Sequence, residues 1–241
     1  MKFLHVMKAL TLGMVALVVL AACAPVATSN QIPTAGSTAA AQANLTATSG
    51  SSSAGSSEGG SGVKYVLVAS KSEASYSVRE QLARLNFPSD AIGKTSNISG
   101  SITITPDSKI DSANSKFTVD LSSLQTDQAM RDNFVRRNVL QTDQYPDAVF
   151  VPTQVSGLPA TIPQSGSVNF QVTGNLTIRD VTKPVTWDVT GSIANGEATG
   201  MATTSFTFED FNLTQPHVSV VLSVVDKITL TVKVDLQVSG S

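Results

Sequence analysis

Residues 228–238 read Ile-Thr-Leu-Thr-Val-Lys-Val-Asp-Leu-Gln-Val, and this stretch decides the fold class. Every second residue is aliphatic, and every residue between two aliphatic ones is polar or charged. Successive side chains of a β-strand point to opposite faces of the sheet. Strict alternation over this length therefore predicts a long antiparallel strand with one buried face and one solvated face.

The same alternation recurs towards the N-terminus of this strand. It is clear in Phe117–Leu121, Val168–Val172 and Val185–Val189, and shorter strand candidates are Tyr65–Val68, Ala74–Val78, Ile98–Thr105, Ala148–Val155 and Gly200–Phe208. Thr105–Lys109 and Ala194-Asn195-Gly196 have the composition of hairpin turns. Many evenly spaced strands with one apolar face predict an all-β domain, either a sandwich or a barrel.

Two helices are predicted between the strands. The first is capped by Thr126 or Asp127 and runs to about Asn138, with Met130, Phe134 and Val135 on its apolar side and Arg131, Arg136 and Arg137 outward. The second runs from Ser77 to about Leu85, carries Val78, Leu82 and Leu85, and is ended by Pro88.

The N-terminus has the pattern of a secretory signal, with Lys2 and Lys8 before an apolar run from Ala9 to Leu20. That run is too short to cross a bilayer. The sequence Leu20-Ala21-Ala22-Cys23 resembles the lipobox of bacterial lipoproteins. The resemblance implies that residues 1–22 are removed and that Cys23, the only cysteine, carries the lipid anchor. We therefore expect an extracytoplasmic protein of the cell envelope, attached to a membrane.

Residues 23–62 follow as a Ser/Thr/Ala/Gly-rich segment, which we interpret as a flexible tether with a span of roughly 30–35 Å. The single large domain is placed at residues 63–241. A formal net charge of −2 without a basic patch argues against nucleic acid as a partner. One cysteine excludes an intramolecular disulfide, and His217 stands without a set of metal ligands, so no metal site is predicted.

Two stretches carry a recognisable family pattern. The first joins Val119–Asp127, Arg131-Asp132 and Tyr145–Phe150, and the second joins Val172–Ile178 to Val181–Val185. Together they resemble the YceI-like family. The resemblance implies a lipocalin-like antiparallel β-barrel of about eight strands, here with one or two short helices. It also implies an extracytoplasmic carrier of polyisoprenoids or other amphipathic lipids. Residues 79–95 look like an insertion relative to that pattern.

If the barrel holds such a ligand, large apolar residues on the inward faces form the site. The candidates are Phe117, Val119, Phe170, Val172, Trp187, Phe206, Phe208, Leu230 and Val232. The alternative is that they fill a closed core, which would make the domain a structural or interaction barrel without a small ligand. A lipid-modifying enzyme is the third hypothesis, disfavoured because no catalytic set, cofactor motif or phosphate loop is visible. The sequence leaves open whether two barrels pair to form a dimer.

Arg131-Asp132 has two interpretations. The pair could orient a ligand headgroup at the mouth of the barrel. We favour instead a local ion pair or helix cap that fixes the predicted helix on the barrel. Asp210, Glu209 and His217 could be imagined as an acid–base group, but nothing in their spacing supports that chemistry.

Overall fold

Ten strands form one antiparallel sheet in a computed structural model that describes residues 62–159 and 163–239. The predicted signal peptide, Cys23 and the tether lie outside the described residues. The strands are β1 Val63–Leu67, β2 Glu73–Leu82, β3 Ser89–Thr95, β4 Ile98–Ile104, β5 Lys116–Asp120, β6 Asp147–Ser156, β7 Gly166–Ile178, β8 Val181–Ala194, β9 Glu197–Phe206 and β10 Val221–Val238.

The sheet closes into a barrel with eight strand positions. Around the barrel, β4 to β10 follow one another as neighbours, and β1 pairs with both β4 and β10. Strands β1 and β2 share one position, because β10 pairs first with β2 and then with β1 along its length. A 3-10 turn at Ala69–Lys71 separates the two halves. The predicted mainly β, antiparallel barrel of about eight strands is confirmed.

The sequence signals for strands and turns also hold locally. Asn195 and Gly196 both take positive φ, +52° and +77°, which is the conformation of a two-residue type I′ hairpin. Ala194 and Glu197 are paired on either side of that turn. At the turn of Thr105–Lys109, the backbone N–H of Thr105 donates to the carbonyl of Lys109.

The predicted helix at Ser77–Leu85 is wrong, because these residues belong largely to β2. Val78 and Leu82 point into the barrel together with Glu80 between them, so the true pattern is alternation with one acidic member. Residues 79–95 form the end of β2, a turn and β3, and the two strands pair with each other along Ala74–Glu80. That they are an insertion relative to the family pattern stays a prediction. The sheet partners on both sides of β2 determine its conformation more strongly than local propensity does.

The first predicted helix exists, with different bounds and a different orientation. It comprises α1 Ala129–Phe134 and a π-helical segment Val135–Leu140. Phe134 and Val135 pack on the core as expected. Met130, expected on the apolar side, is 86% exposed, whereas the Arg131 side chain, expected outward, is only 16% exposed.

Core packing is concentrated at one end of the barrel, which we call the helical end. There α1, Val135–Leu140 and Phe208–Leu213 pack against the inward residues of the strands, and Phe211 is almost completely buried. A smaller cluster of Leu67, Ala74 and Ile98 lies further along the barrel. None of the helices among residues 62–159 and 163–239 is long and apolar enough to span a membrane.

Candidate functional site

A cavity of about 1120 Å³ runs inside the barrel. Its wall extends from Leu213 and Phe208 at the helical end to Ile104 and Val234 towards the opposite end. The alternation of the strands explains its character, because the residues between the inward aliphatic and aromatic ones face solvent. A cavity of this size with an almost wholly apolar wall suits a hydrocarbon-rich ligand.

All nine residues predicted from the sequence as interior candidates line this cavity. They are Phe117, Val119, Phe170, Val172, Trp187, Phe206, Phe208, Leu230 and Val232. They come from β5, β7, β8, β9 and β10 and from the turn after β9, so the barrel brings together residues far apart in sequence. That a ligand contacts them stays a prediction.

Phe150 is a cavity residue that the sequence reasoning did not select. Its ring meets Trp187 edge-on, with 5.7 Å between ring centroids. On the neighbouring strand, a Cβ at Gly174 would lie 2.7 Å from the Phe150 ring, so glycine leaves the space that this ring occupies. The pairing register of β6 shifts between Pro152 and Gln154, directly beside Gly174. Gly174 thus lies opposite a bulge in its partner strand.

The helical end also places a charged pair against the cavity. Arg131 Nη2 of α1 lies 2.6 Å from Glu80 Oε1 of β2, and both side chains are largely buried, with 16% and 8% exposed. A second guanidinium nitrogen of Arg131 bonds the carboxylate of Asp127. Arg131 and Glu80 both line the cavity. Sequence reasoning missed Glu80 because its neighbourhood was interpreted as a helix.

Asp132 ties α1 to the segment that precedes it. Its carboxylate accepts hydrogen bonds from the backbone N–H of Thr126 at 2.8 Å and from the Thr126 hydroxyl at 2.7 Å. Arg131 thus makes ion pairs that hold the helix on the barrel, as the favoured interpretation expects, but its partners are Glu80 and Asp127. That the pair meets a ligand headgroup stays a prediction. The N-cap of α1 is Gln128, although Thr126 or Asp127 was expected to cap the helix.

Tyr76 lies on β2 two residues from Ala74 and faces the same cavity. Burial raises the pKa of its phenol to about 12, and the nearby positive charge of Arg131 opposes this only in part. The ring lies over Gly93 of β3, where a Cβ would come 2.2 Å from the ring atom Cε1. The helical end of a mainly apolar cavity therefore presents a neutral hydroxyl beside a compensated ion pair.

The acid–base group that seemed conceivable from the sequence is not assembled. Asp210 accepts hydrogen bonds from the backbone and hydroxyl of Thr207. The His217 ring nitrogen Nδ1 lies 2.8 Å from the carbonyl of Gln215. Each is thus held in its own local turn. No group of three or more potential metal-ligating side chains occurs among residues 62–159 and 163–239.

The sequence matches a known family and several of its relatives. A family profile described as the YceI-like domain covers residues 65–238. A UPF0312 protein of Pseudomonas putida (strain KT2440) is 37% identical over 111 residues, which are 42% of this chain and 54% of that protein. The matching region thus spans about half the length of the curated relatives.

Solved structures show the same fold at low sequence identity. A polyisoprenoid binding domain from Saccharophagus degradans, implicated in plant cell wall breakdown, is 13% identical with a TM-score of 0.57. The alignment covers 72% of this chain and 98% of that domain. BcnA of Burkholderia cenocepacia is 21% identical with a TM-score of 0.52, over 70% of this chain and 98% of BcnA. These likenesses concern the fold.

Proposed function

The chain belongs to the YceI-like domain family, and from that premise we propose that its barrel carries a polyisoprenoid or another amphipathic lipid. The observation that carries the proposal is the cavity of about 1120 Å³ with its apolar wall. Well-packed protein interiors contain few voids larger than a water molecule. A barrel whose only task was structural would be expected to fill that space with its own side chains.

The energetics favour a long apolar ligand. Burial of a methylene group contributes about 0.8 kcal/mol, so a polyprenyl chain gains affinity with each unit it places inside the barrel. The Tyr76 hydroxyl and the Glu80–Arg131 pair lie at the helical end, where they are suited to the polar end of the ligand. That a relative of the same fold is a polyisoprenoid binding domain supports this ligand class. The function proposed is binding, without a chemical step.

We also propose that the carrier is attached to a membrane on the extracytoplasmic side. The support is the sequence Leu20-Ala21-Ala22-Cys23 after an apolar run with basic residues before it. A diacylglyceryl group on Cys23 and a further acyl chain would give stable attachment, which one chain alone does not. Such an anchor keeps the barrel beside the bilayer in which isoprenoid lipids are found.

Trp187 provides a direct test of ligand uptake. It is the only tryptophan of the chain and lines the cavity. We expect geranylgeraniol and solanesol to change its fluorescence and to raise the melting temperature of the purified full chain. Mass spectrometry of the lipids extracted from the protein would identify the natural ligand.

Two adjacent residues of β9 give a matched pair of variants. Ala202 lines the cavity, whereas Met201 is outside it and 48% exposed. Ala202→Phe should place a ring in the cavity and reduce polyprenol binding, while Met201→Phe should bind as the wild type does. The proposal fails if neither polyprenol affects Trp187 fluorescence or Tm, or if a folded Ala202→Phe variant binds with unchanged affinity.

A further inference from the structure

Large apolar side chains are exposed at the helical end of the barrel. We define the apolar rim as Leu85 and Phe87 of the turn between β2 and β3, Met130 of α1, Val220 just before β10, and Leu222 of β10. Phe87 is 79% exposed, Met130 86% and Leu222 67%. Isolated apolar residues on a surface need no explanation, but a group around one opening does.

The segments that bear the rim are held together by direct contacts. The backbone N–H of Ala83 donates to the carbonyl of Val220 at 3.0 Å, and Leu82 is paired with Val221. The ion pair of Arg131 with Glu80 fastens α1 to β2. The three segments therefore present their exposed side chains at the same end of the barrel.

The rim is continuous with the cavity. Ten large hydrophobic residues among residues 62–159 and 163–239 are exposed, and three of these also line the cavity: Leu85, Met130 and Val220. All three belong to the rim. The apolar wall of the cavity thus reaches the surface at the helical end, where it passes into exposed apolar side chains.

The charges around the rim indicate its partner. Residues 81–89 contain one charged side chain, Arg84, and residues 211–225 contain none. On α1, beside Met130, the carboxylate of Asp127 is paired with Arg131, and that of Asp132 accepts a hydrogen bond from Thr126. Two apolar segments with one arginine and no acid, next to a helix whose acids are already engaged, suit the boundary between lipid headgroups and acyl chains, where the apolar tips meet hydrocarbon and the guanidinium meets phosphate.

We infer that the apolar rim inserts into the surface of a lipid bilayer, so that a lipid moves between the bilayer and the cavity without crossing water. The identity of the moving lipid rests on the proposed function, but the insertion itself does not. Phe87 and Leu222 are not cavity residues, so they affect docking separately from ligand affinity.

Insertion can be measured on the full chain with vesicles of phosphatidylethanolamine and phosphatidylglycerol that contain brominated acyl chains. In a Trp187→Phe background, a tryptophan introduced by Phe87→Trp should be strongly quenched by bromine. A tryptophan introduced by Met201→Trp, on the outer wall, should not be. Equal quenching at the two positions overturns the inference, whatever the protein binds.

Transfer can be followed as energy transfer from Trp187 to a dansyl-labelled polyprenol that starts in the vesicles. The variant Phe87→Glu/Leu222→Glu should slow transfer by about tenfold or more, since each charge removes an apolar contact with the bilayer. Met201→Glu should transfer as the wild type does. When the probe is added from ethanol without vesicles, all three proteins should bind it equally.

The outcomes separate the two proposals. If the wild type binds no dansyl polyprenol but the tryptophan at position 87 is quenched, docking stands and the proposed ligand is wrong. If binding persists while the rim variant transfers at the wild-type rate, the docking inference is wrong and the carrier stands. If the wild type is a dimer, the rim variant a monomer, and position 87 is unquenched, the rim is instead an interface between two copies.

Discussion

At the scale of single residues, the Glu80–Arg131 pair places two opposite charges in a largely buried position, where each depends on the other. Both side chains are largely buried, so Arg131→Leu would leave an unpaired carboxylate beside an apolar cavity. Removal of one partner from a buried ion pair costs about 3–5 kcal/mol. We expect a loss of that order in the free energy of unfolding of Arg131→Leu, measured by urea denaturation.

The double variant Glu80→Leu/Arg131→Met is the control for this prediction. It removes both charges together and replaces them with apolar groups, an exchange that is often neutral or stabilising. We expect it to recover most of the stability lost in Arg131→Leu. A double variant as unstable as the single one would mean that Arg131 stabilises the barrel through packing or through Asp127 rather than through Glu80.

Tyr76 gives a prediction for alkaline pH. Its phenol titrates at about 12 in the folded protein because it is buried, whereas an unfolded tyrosine titrates near 10. Between these values the folded state keeps a proton that the unfolded state loses. The free energy of unfolding should therefore fall as pH rises through this window.

The matched variant is Tyr76→Phe, which has no phenol to ionise. Its stability should fall less than that of the wild type between about pH 9 and pH 11. The tyrosinate absorbance that the wild type shows and the variant lacks should have its midpoint near pH 12. A midpoint of that difference near pH 10 would show that the Tyr76 hydroxyl is solvated.

Residue-level prediction from the sequence worked where alternation was unbroken. Phe170, Trp187 and Leu230 each lie among apolar residues spaced two apart, and each lines the cavity. Glu80 was missed because its neighbourhood was interpreted as a helix, and Tyr76 because only large apolar side chains were selected as interior candidates. Their inward position depends on a partner that is 51 residues away in sequence for Glu80, and on the close approach of Gly93 for Tyr76.

At the scale of elements, the orientation of α1 can be tested by two truncations on the same helix. Phe134 packs against the core cluster at the helical end, whereas Met130 is 86% exposed. Phe134→Ala should cost about 2–4 kcal/mol of stability, and Met130→Ala should change it by less than about 0.5 kcal/mol. Thermal or urea unfolding measures both. The reverse ranking would restore the orientation expected from the sequence.

The errors at this scale have one cause. Val78, Leu82 and Leu85 are four and three residues apart, as on one face of a helix. Met130 and Phe134 are four residues apart and were therefore expected on the same face of α1. In β2, hydrogen bonding to β3 and β10 on either side overrides the local pattern. In α1, Arg131 is paired with Glu80 and largely buried, whereas Met130 is exposed. Neither partner can be identified from a local window of sequence.

At the scale of the whole molecule, the membrane attachment that we propose depends on one atom, the sulfur of Cys23. Cys23→Ser should leave the signal peptide unprocessed or release the protein from membranes, because serine cannot form the thioether to diacylglyceryl. Fractionation and the intact mass of the mature protein measure this. An unchanged mass together with unchanged fractionation would contradict lipidation.

The barrel could be predicted as a whole, but the cavity could not. A filled barrel and a hollow one share the same alternation of apolar and polar residues, because both hide one face of every strand. What differs is how the side chains fill the middle, and this depends on the register between strands and on glycines such as Gly174 that admit a ring from the neighbouring strand. That information lies in pairs of distant residues.

The closing seam of the barrel joins its first and last strands, with Tyr65 opposite Val238 and Leu67 opposite Leu236. A nascent chain must therefore release residues 221–238 before the sheet can close, however early the other hairpins form. Such distant pairing slows folding. During synthesis the barrel therefore stays unclosed until its final strand emerges. This order suits the export that we propose, because an unclosed chain is easier to pass through a translocation channel than a closed barrel.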